Sequence, residues 1–380
     1  MHTLAISEQG TSVHADGDML VVQRGKSVLR RLRAAELEQV LLFGGVEMTR
    51  QAMNVLLRRE IEMVLLTQDG KFRGRLSGRG SKNVQLRLAQ YQRSSDPAFC
   101  LRVARSVVAG KLQNQRQVLL RAQRQLQDND LAAAIGNLRV LGQRAAECTD
   151  LDVLRGFEGQ GAAVYFGQFG KLIRHPDFAF TSRNRRPPRD PVNAMLSFGY
   201  AVLGSLAETK IYAAGLDPML GFLHQPAYGR PSLMLDLLEE FRPLVDTLVL
   251  RVINRRQVSV RDFEQPTGQS LAEMLAEDLL RPQSEEPVIL LMEDSSADQS
   301  PGEIVAVARE GDSTPKVGVY LNGTGRKIFL NELFRRMRER LYYPPREAQF
   351  ELRDILQQQI YQLARVIEGH QDQYQPHLIA

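Results

Sequence analysis

The sequence predicts an α+β protein in which an N-terminal β-sandwich domain is followed by a larger all-α domain. Three observations carry this reading. The first 80 or so residues hold short β-branched and aliphatic runs separated by turn signals. Beyond about Arg79 the apolar residues recur at helical spacing instead. The 380-residue length allows about two to three domains, so a small and a large unit fit together in one chain.

The expected strands are Thr3–Ile6, Leu20–Val22, Val40–Phe43 and Met63–Thr67, with turns at Gln9-Gly10, Asp16-Gly17, Gly44-Gly45 and Asp69-Gly70. One helix, Thr49–Arg58 with Thr49 as its N-cap, interrupts them. In the second part Val108, Leu112, Gln115, Leu119, Ala122 and Leu126 share a helical face, with Arg121 and Arg124 opposite. Further helices are expected at Asp150–Gly170, Asn193–Ala214, Ser232–Leu250, Leu271–Leu280 and Asn331–Glu368. Asn193 and Ser232 read as caps and Gly215 as a C-terminal stop. Val317–Leu321 and Lys327–Leu330 read as a late hairpin around Asn322-Gly323. The sandwich domain is thus assigned to residues 1–85 and the helical domain to residues 86–380.

Composition excludes several classes. Cys100 and Cys148 cannot build a disulfide framework or a four-cysteine zinc site, which fits a reducing cytoplasm. No basic start followed by an apolar run is readable at the N-terminus, so no signal peptide is expected. The longest uncharged helical stretch, Ala194–Ala207, has 14 residues, whereas a membrane span needs roughly 20. Forty-nine Lys and Arg against 44 acids give a net charge of +5, which permits nucleic acid without requiring it. The distribution says more. Residues 101–144 carry eight bases against two aspartates, while residues 281–316 carry eight acids against three bases and read as an exposed acidic insertion.

Three groups of residues could carry chemistry. Glu158 interrupts the apolar stripe Leu151, Leu154, Ala162, Tyr165 and Phe169 of its own helix, and a carboxylate desolvated there needs a partner, a hydrogen bond or a metal. Gly156, Gly159 and Gly161 around it suggest close approach by another element or a ligand. His224 sits in a loop before a helix that projects Asp236, Glu239 and Glu240 to one side, a donor set suited to a divalent cation, although a charged outer helix face would show the same spacing. Arg183, Arg185, Arg186 and Arg189, stiffened by two prolines ahead of a helix, suit phosphate contacts. A second basic cluster, Arg335, Arg336, Arg338, Arg340 and Arg346, includes Tyr342 and Tyr343. No P-loop, dinucleotide-binding glycine motif, HExxH or GxSxG is present, so ATP hydrolysis, dinucleotide redox and serine hydrolysis have no motif to carry them.

Four ordered motifs resemble one family. They are Gly-Phe-Glu158-Gly-x-x-Ala-x-x-Tyr, Arg-Arg-Pro-Pro-Arg-Asp-Pro-Val-Asn-Ala, Ala-Gly-Leu-Asp-Pro-x-Leu-Gly-Phe-Leu-His224 and Ser-Leu-x-Leu-Asp236-Leu-x-Glu239-Glu-Phe-Arg-Pro. Lys111-Leu-Gln-Asn-Gln-Arg upstream and Val-Tyr-Leu-x-x-x-Gly-Arg-Lys-x-Phe-Leu at 319–330 extend the match. Together they are similar to the CRISPR-associated endonuclease and integrase of spacer acquisition, the "Cas one" family, with the acidic segment 281–316 longer than the family's pattern.

The resemblance implies a catalytic role for the helical domain and a homodimer, with residues 1–85 as the dimerisation domain. It also implies a small partner, "Cas two", and double-stranded DNA, both prespacer and CRISPR repeat, with no membrane. Glu158, His224 and Glu239 are the implied ligands of Mg2+ or Mn2+, with Asp236 as a supporting acid and the four loop arginines as DNA contacts. His224 is left as either a ligand or a general base. The implied reaction is attack of a 3′-hydroxyl on a repeat phosphodiester, which needs no ATP. A structure-selective nuclease of branched DNA and a non-catalytic nucleic-acid-binding scaffold are the alternatives.

Overall fold

Strand β5 (Leu37–Phe43) is buried on both faces, and that joins the two parts of the molecule. In the computed structural model, which describes residues 2–78, 81, 83–184, 187–265 and 318–379, two four-stranded sheets occupy the N-terminal region. The first has the order β1 (His2–Ile6), β5, β7 (Glu62–Leu66), β8 (Phe72–Leu76), with parallel β1–β5 and β5–β7 pairs and an antiparallel β7–β8 pair. The second has the order β4 (Ser27–Arg33), β3 (Met19–Arg24), β2 (Thr11–Asp16), β6 (Glu47–Met48). Leu4, Val13, Leu20, Val40 and Leu42 meet between the sheets, together with Ala52, Val55 and Leu56 of α1 (Arg50–Arg58). Thr49 caps α1, its side chain accepting from Ala52 N–H at 3.4 Å.

Alternation along β5 sends Leu41 and Phe43 the other way, into the core of the helical region. A strand covered on both faces reads as a nearly continuous apolar run, as Val-Leu-Leu-Phe does here. The Phe43 ring lies 6.1 Å from Phe198 of α6 (Pro191–Ala214).

Beyond the sheets follow α2 (Val84–Ser94), α3 (Pro97–Leu126), α4 (Asn129–Glu147), α5 (Leu151–Phe169), α6 and α7 (Ser232–Asn254). The thirty-residue α3 is the axis of this region and packs against α4, α5 and α7. Asp96 starts it by accepting from Ala98 and Phe99 N–H, with Pro97 in the first turn. The helical region is not purely α. Short β9 (Phe263–Glu264) pairs with β10 (Tyr320–Leu321), and β11 (Arg340–Tyr343) pairs with β12 (Ala348–Glu351). Two further helices, α8 (Gly323–Met337) and α9 (Leu352–Ile367), flank that second ladder.

Several expected boundaries shift for local reasons. Asp190, not Asn193, caps α6, because Pro191 fills the first turn and Asn193 N–H donates to the Asp190 carboxylate at 2.8 Å. Ser232 is the first residue of α7 rather than its cap, and its hydroxyl donates to the Gln225 carbonyl at 3.1 Å. The single helix expected over Asn331–Glu368 breaks at Met337, since Pro344-Pro345 cannot continue it and Glu347 turns back at φ 49°. The late hairpin is absent from the described residues because Asn322 caps α8, accepting from Gly325 N–H at 3.0 Å, and Lys327–Leu330 is helical. The expected helix Leu271–Leu280 and the acidic segment 281–316 lie outside the described residues. No helix among the described residues is long and apolar enough to cross a membrane.

The glycines around Glu158 separate into two kinds. A Cβ on Gly161 would stand 2.0 Å from the Leu112 Cδ2 of α3, whereas Gly156 and Gly159 have nothing within 4 Å. Leu112 is fully buried, so its methyl cannot swing freely away. Gly161→Ala therefore destabilises the fold by about 1–3 kcal/mol through overpacking. Gly159→Ala stabilises it by up to about 1 kcal/mol through helix propensity. Urea unfolding of the two variants measures these opposite signs.

Candidate active site

Lys111 is the side chain around which the site is built. It lies on the apolar face of α3 beside buried Val107, Val108 and Leu112 and is 4% exposed. Its ammonium contacts Glu158 Oε1 from α5 and lies 2.5 Å from Glu239 Oε2 from α7. Burial works against the charge on Lys111, and Arg242 adds to that. The carboxylates of Glu158 and Glu239 outweigh both and raise its pKa above the ordinary lysine value.

Asp236, Glu239 and Glu240 on α7 are not an outer helix face: each is at most 3% exposed. Burial would raise the pKa of Glu239, but Arg242, Lys111 and His224 hold it well below the usual carboxylate range. Arg242 Nε donates to Glu239 Oε1 at 2.9 Å, and its guanidinium lies 4.9 Å from the Tyr200 ring centroid. Glu239 Oε2 takes no aligned hydrogen bond and has the Lys111 ammonium as its ionic neighbour. Pro243 has no N–H to return to the Glu239 carbonyl four residues earlier, which frees the backbone at this turn.

Glu240 turns away from Lys111. Its carboxylate accepts from Tyr374 Oη at 2.7 Å, His377 N–H at 2.7 Å and Gln359 Nε2 at 3.1 Å. Burial pushes its pKa up to about 7 despite these donors. Asn114, three residues after Lys111 on α3, donates through Nδ2 to both the Glu240 and His377 carbonyls, so the tail, with Gln359 of α9, braces α7 behind the site.

Asp236 holds His224 rather than joining the Lys111 cluster. Its Oδ2 accepts from Phe222 and Leu223 N–H at 2.5 and 2.9 Å, and its Oδ1 accepts from His224 N–H at 2.9 Å. The same Oδ1 lies 2.7 Å from His224 Nδ1. A proton on Nδ1 satisfies that pair, which leaves the Nε2 lone pair for a metal or a proton. Gly221 permits the clamp, since a Cβ there would stand 2.6 Å from Asp236 Oδ2 and 2.7 Å from the Ser232 backbone.

The structure thus brings Glu158 and Glu239 together on one cation, and His224 within electrostatic reach of Glu239. Among the described residues, no three His, Cys, Asp or Glu side chains stand together as a metal-holding group. The donor chemistry nonetheless fits a hard divalent cation: two carboxylates from separate helices converge, one of them with an oxygen that only a cation faces. The Glu158 side chain keeps 27% exposure, so the cluster opens to solvent on the α5 side.

In the arginine loop, Arg183 ties the loop to α6, donating to Asn193 Oδ1 at 2.7 Å and Ser197 Oγ at 3.1 Å. Arg189 is exposed, and Arg185 and Arg186 lie outside the described residues. Sequence reasoning did not single out Lys111 or Arg242 as site residues. Their signal was available: Lys111 falls three residues after Val108 and four before Gln115, on the apolar face already recognised, and Arg242 falls three after Glu239.

Comparison with known proteins adds the lineage. The sequence model of the family described as CRISPR associated protein Cas1 matches residues 4–282. A CRISPR-associated endonuclease Cas1 of Rhodospirillum rubrum is 42% identical over 284 residues, covering 70% of this chain and 80% of that one. The chain spans only 47% of the length of a Cas4/Cas1 fusion from Geobacter sulfurreducens, which it matches at 42% identity over 67% of its own length. Among solved structures, a Cas6-RT-Cas1–Cas2 complex superposes with a TM-score of 0.75 at 23% identity, covering 100% of this chain and 36% of that one. A casposase bound to integration product superposes at 0.74 and 20% identity, covering 99% and 93%. At these identities the two structures are similar in fold.

The ion cluster makes a prediction of its own. Lys111→Met leaves buried carboxylate charge without its shared cation and destabilises the protein by about 3–5 kcal/mol. Denaturant unfolding at neutral pH measures the loss, and part of it is recovered at low pH, where the carboxylates take up protons.

Proposed function

The chain belongs to the Cas1 family of CRISPR-associated proteins, and from that premise we propose that it is a metal-dependent DNA endonuclease and integrase. In this reading it inserts spacer DNA into a CRISPR array by attack of a 3′-hydroxyl on a repeat phosphodiester. The observation that carries the proposal is the convergence of Glu158 and Glu239, from α5 and α7, on one buried cationic position beside the His224 that Asp236 holds.

Glu158, Glu239 and His224 would hold Mg2+ or Mn2+. When bound, such an ion supplies Lewis-acid polarisation of a phosphate oxygen and neutralises charge that develops there. The chain's own residues prepare the place. Arg242 and Lys111 keep Glu239 ionised in a buried position, where a lone carboxyl would take up a proton. Asp236 would fix the imidazole through Nδ1 and leave Nε2 its lone pair, usable as a ligand or as acceptor of the attacking hydroxyl's proton. One P–O bond forms to the 3′-oxygen as another breaks, and the leaving 3′-oxygen gains a proton. No nucleotide is consumed, in keeping with a sequence that has no P-loop.

The partners follow from the same reading. Double-stranded prespacer and repeat DNA are the substrates, and a small Cas2 protein and a second copy of this chain complete the assembly, with work in the cytoplasm. Solved structures of like fold, described as a Cas6-RT-Cas1–Cas2 complex and as a casposase bound to integration product, are in keeping with this reading. Residues 1–85 would form the dimerisation domain and residues 86–380 the catalytic domain.

Strand transfer of a labelled 3′-hydroxyl duplex into a repeat-bearing plasmid, with Mn2+ or Mg2+, tests the proposal. Glu158→Gln and His224→Ala are expected to lose at least about 100-fold in rate, and Asp236→Asn about 10- to 100-fold, as for a residue that orients a ligand. Wild-type rates in Glu158→Gln would overturn the assignment.

A further inference from the structure

Arginines that the active site does not use gather about one carboxylate. Arg251 Nη1 of α7 lies 3.1 Å from Glu339 Oε1, Arg335 Nη1 of α8 lies 3.8 Å from the same oxygen, and Arg336 Nη1 of α8 contacts Oε2. Arg121, exposed on α3, stands within electrostatic reach of Arg336. Arg335 also holds Glu332 at 2.7 Å, so three guanidiniums meet two carboxylates, and with Arg121 nearby the patch keeps a positive surplus. Burial, with the charges of Arg251, Arg121 and Arg335, pulls Arg336 down to about 10. Like charges crowded in this way are held together at a cost in electrostatic repulsion, which an anionic ligand would relieve. The patch is open to solvent, with the Arg335 side chain 46% exposed and that of Glu339 29%.

Its position relates it to the active site. Lys111 and Arg121 are ten residues apart on α3, and Glu239 and Arg251 are twelve apart on α7. At a rise of about 1.5 Å per residue these separations are about 15 and 18 Å. The two helices that meet through Lys111 and Glu239 therefore also deliver the arginine patch, roughly five base pairs away at about 3.4 Å per base pair.

We propose that Arg121, Arg251, Arg335 and Arg336 form a second DNA-backbone site, in which the Glu339 carboxylate stands in for a phosphate until a duplex displaces it. The inference rests on the integrase reading above and deepens it by naming where the substrate's flank is gripped. Glu339 follows the end of α8 in a short connection to β11, so its side chain can swing aside without disturbing a helix. Displacement exchanges one carboxylate for phosphodiester oxygens on the same guanidiniums, which suit either geometry.

Anisotropy of a labelled duplex, titrated in EDTA across a range of salt concentrations, tests this without depending on catalysis. Arg121→Ala and Arg335→Ala should each weaken binding about 3- to 10-fold and lower the salt slope by about one. Glu339→Gln should do the reverse, tightening binding by about 3-fold or more. A purely structural network predicts no tightening from Glu339→Gln, so unchanged or weaker binding there overturns the proposal, as does unchanged binding in both arginine variants. Arg121→Ala, at an exposed position, keeps the test decisive if Glu339→Gln does not fold. Wild-type protein that binds but joins no strands would contradict the integrase reading alone. Wild-type protein that joins strands while the arginine variants bind normally would contradict this site alone.

Discussion

The buried Lys111 ammonium, shared by Glu158 and Glu239, is the constraint on which the helical region depends. The buried ammonium would be costly alone, and so would the Glu239 carboxylate; the ammonium is tolerable because two carboxylates face it, and Glu239 because Lys111 and Arg242 face it. The ion cluster therefore fixes α3, α5 and α7 against one another at a single point. Everything nearby serves to keep that point in place. Gly161 lets α5 approach Leu112 of α3, Arg242 holds the second oxygen of Glu239, and Asn114 carries the α3–α7 contact back to the chain's tail.

The same logic separates the roles of two acids three residues apart. Asp236 spends both oxygens on backbone N–H groups and the His224 ring, which makes it a positioning residue. Glu239 spends its oxygens on the Lys111 and Arg242 cations instead. A helix that reads as amphipathic, with three acids on one side, proves to be buried nearly all round because α3, α6, α8 and the tail each cover a face.

Much of the architecture was legible in the sequence. The change from turn-punctuated strands to helical spacing near Arg79 matches the passage from β8, ending at Leu76, to α2, starting at Val84. The Glu158 anomaly was legible because a carboxylate on the stripe of Leu154, Tyr165 and Phe169 breaks a pattern. Lys111 stands in a family motif but is not legible as a site residue, because a lysine on an apolar face is readily taken for a stem that reaches water. Only the packing of α5 and α7 shows that it does not. The hairpin after Met337 places Tyr343 so that its ring is buried and its hydroxyl donates to Gln359 Oε1 at 2.6 Å, a contact between elements that periodicity cannot carry. Nor could spacing show that Arg183 is committed to Asn193 and Ser197 rather than left to a ligand.

The account stands on Glu158 and Glu239 forming one cation-holding pair, and the most direct test is the shift in unfolding temperature with added Mn2+, read without DNA. For the wild type the temperature should rise with cation concentration, by the equivalent of about 2.7 kcal/mol at a hundredfold excess over the dissociation constant. Glu158→Gln and Glu239→Gln should show little or no rise. An equal rise in all three proteins would place the cation elsewhere and contradict the account.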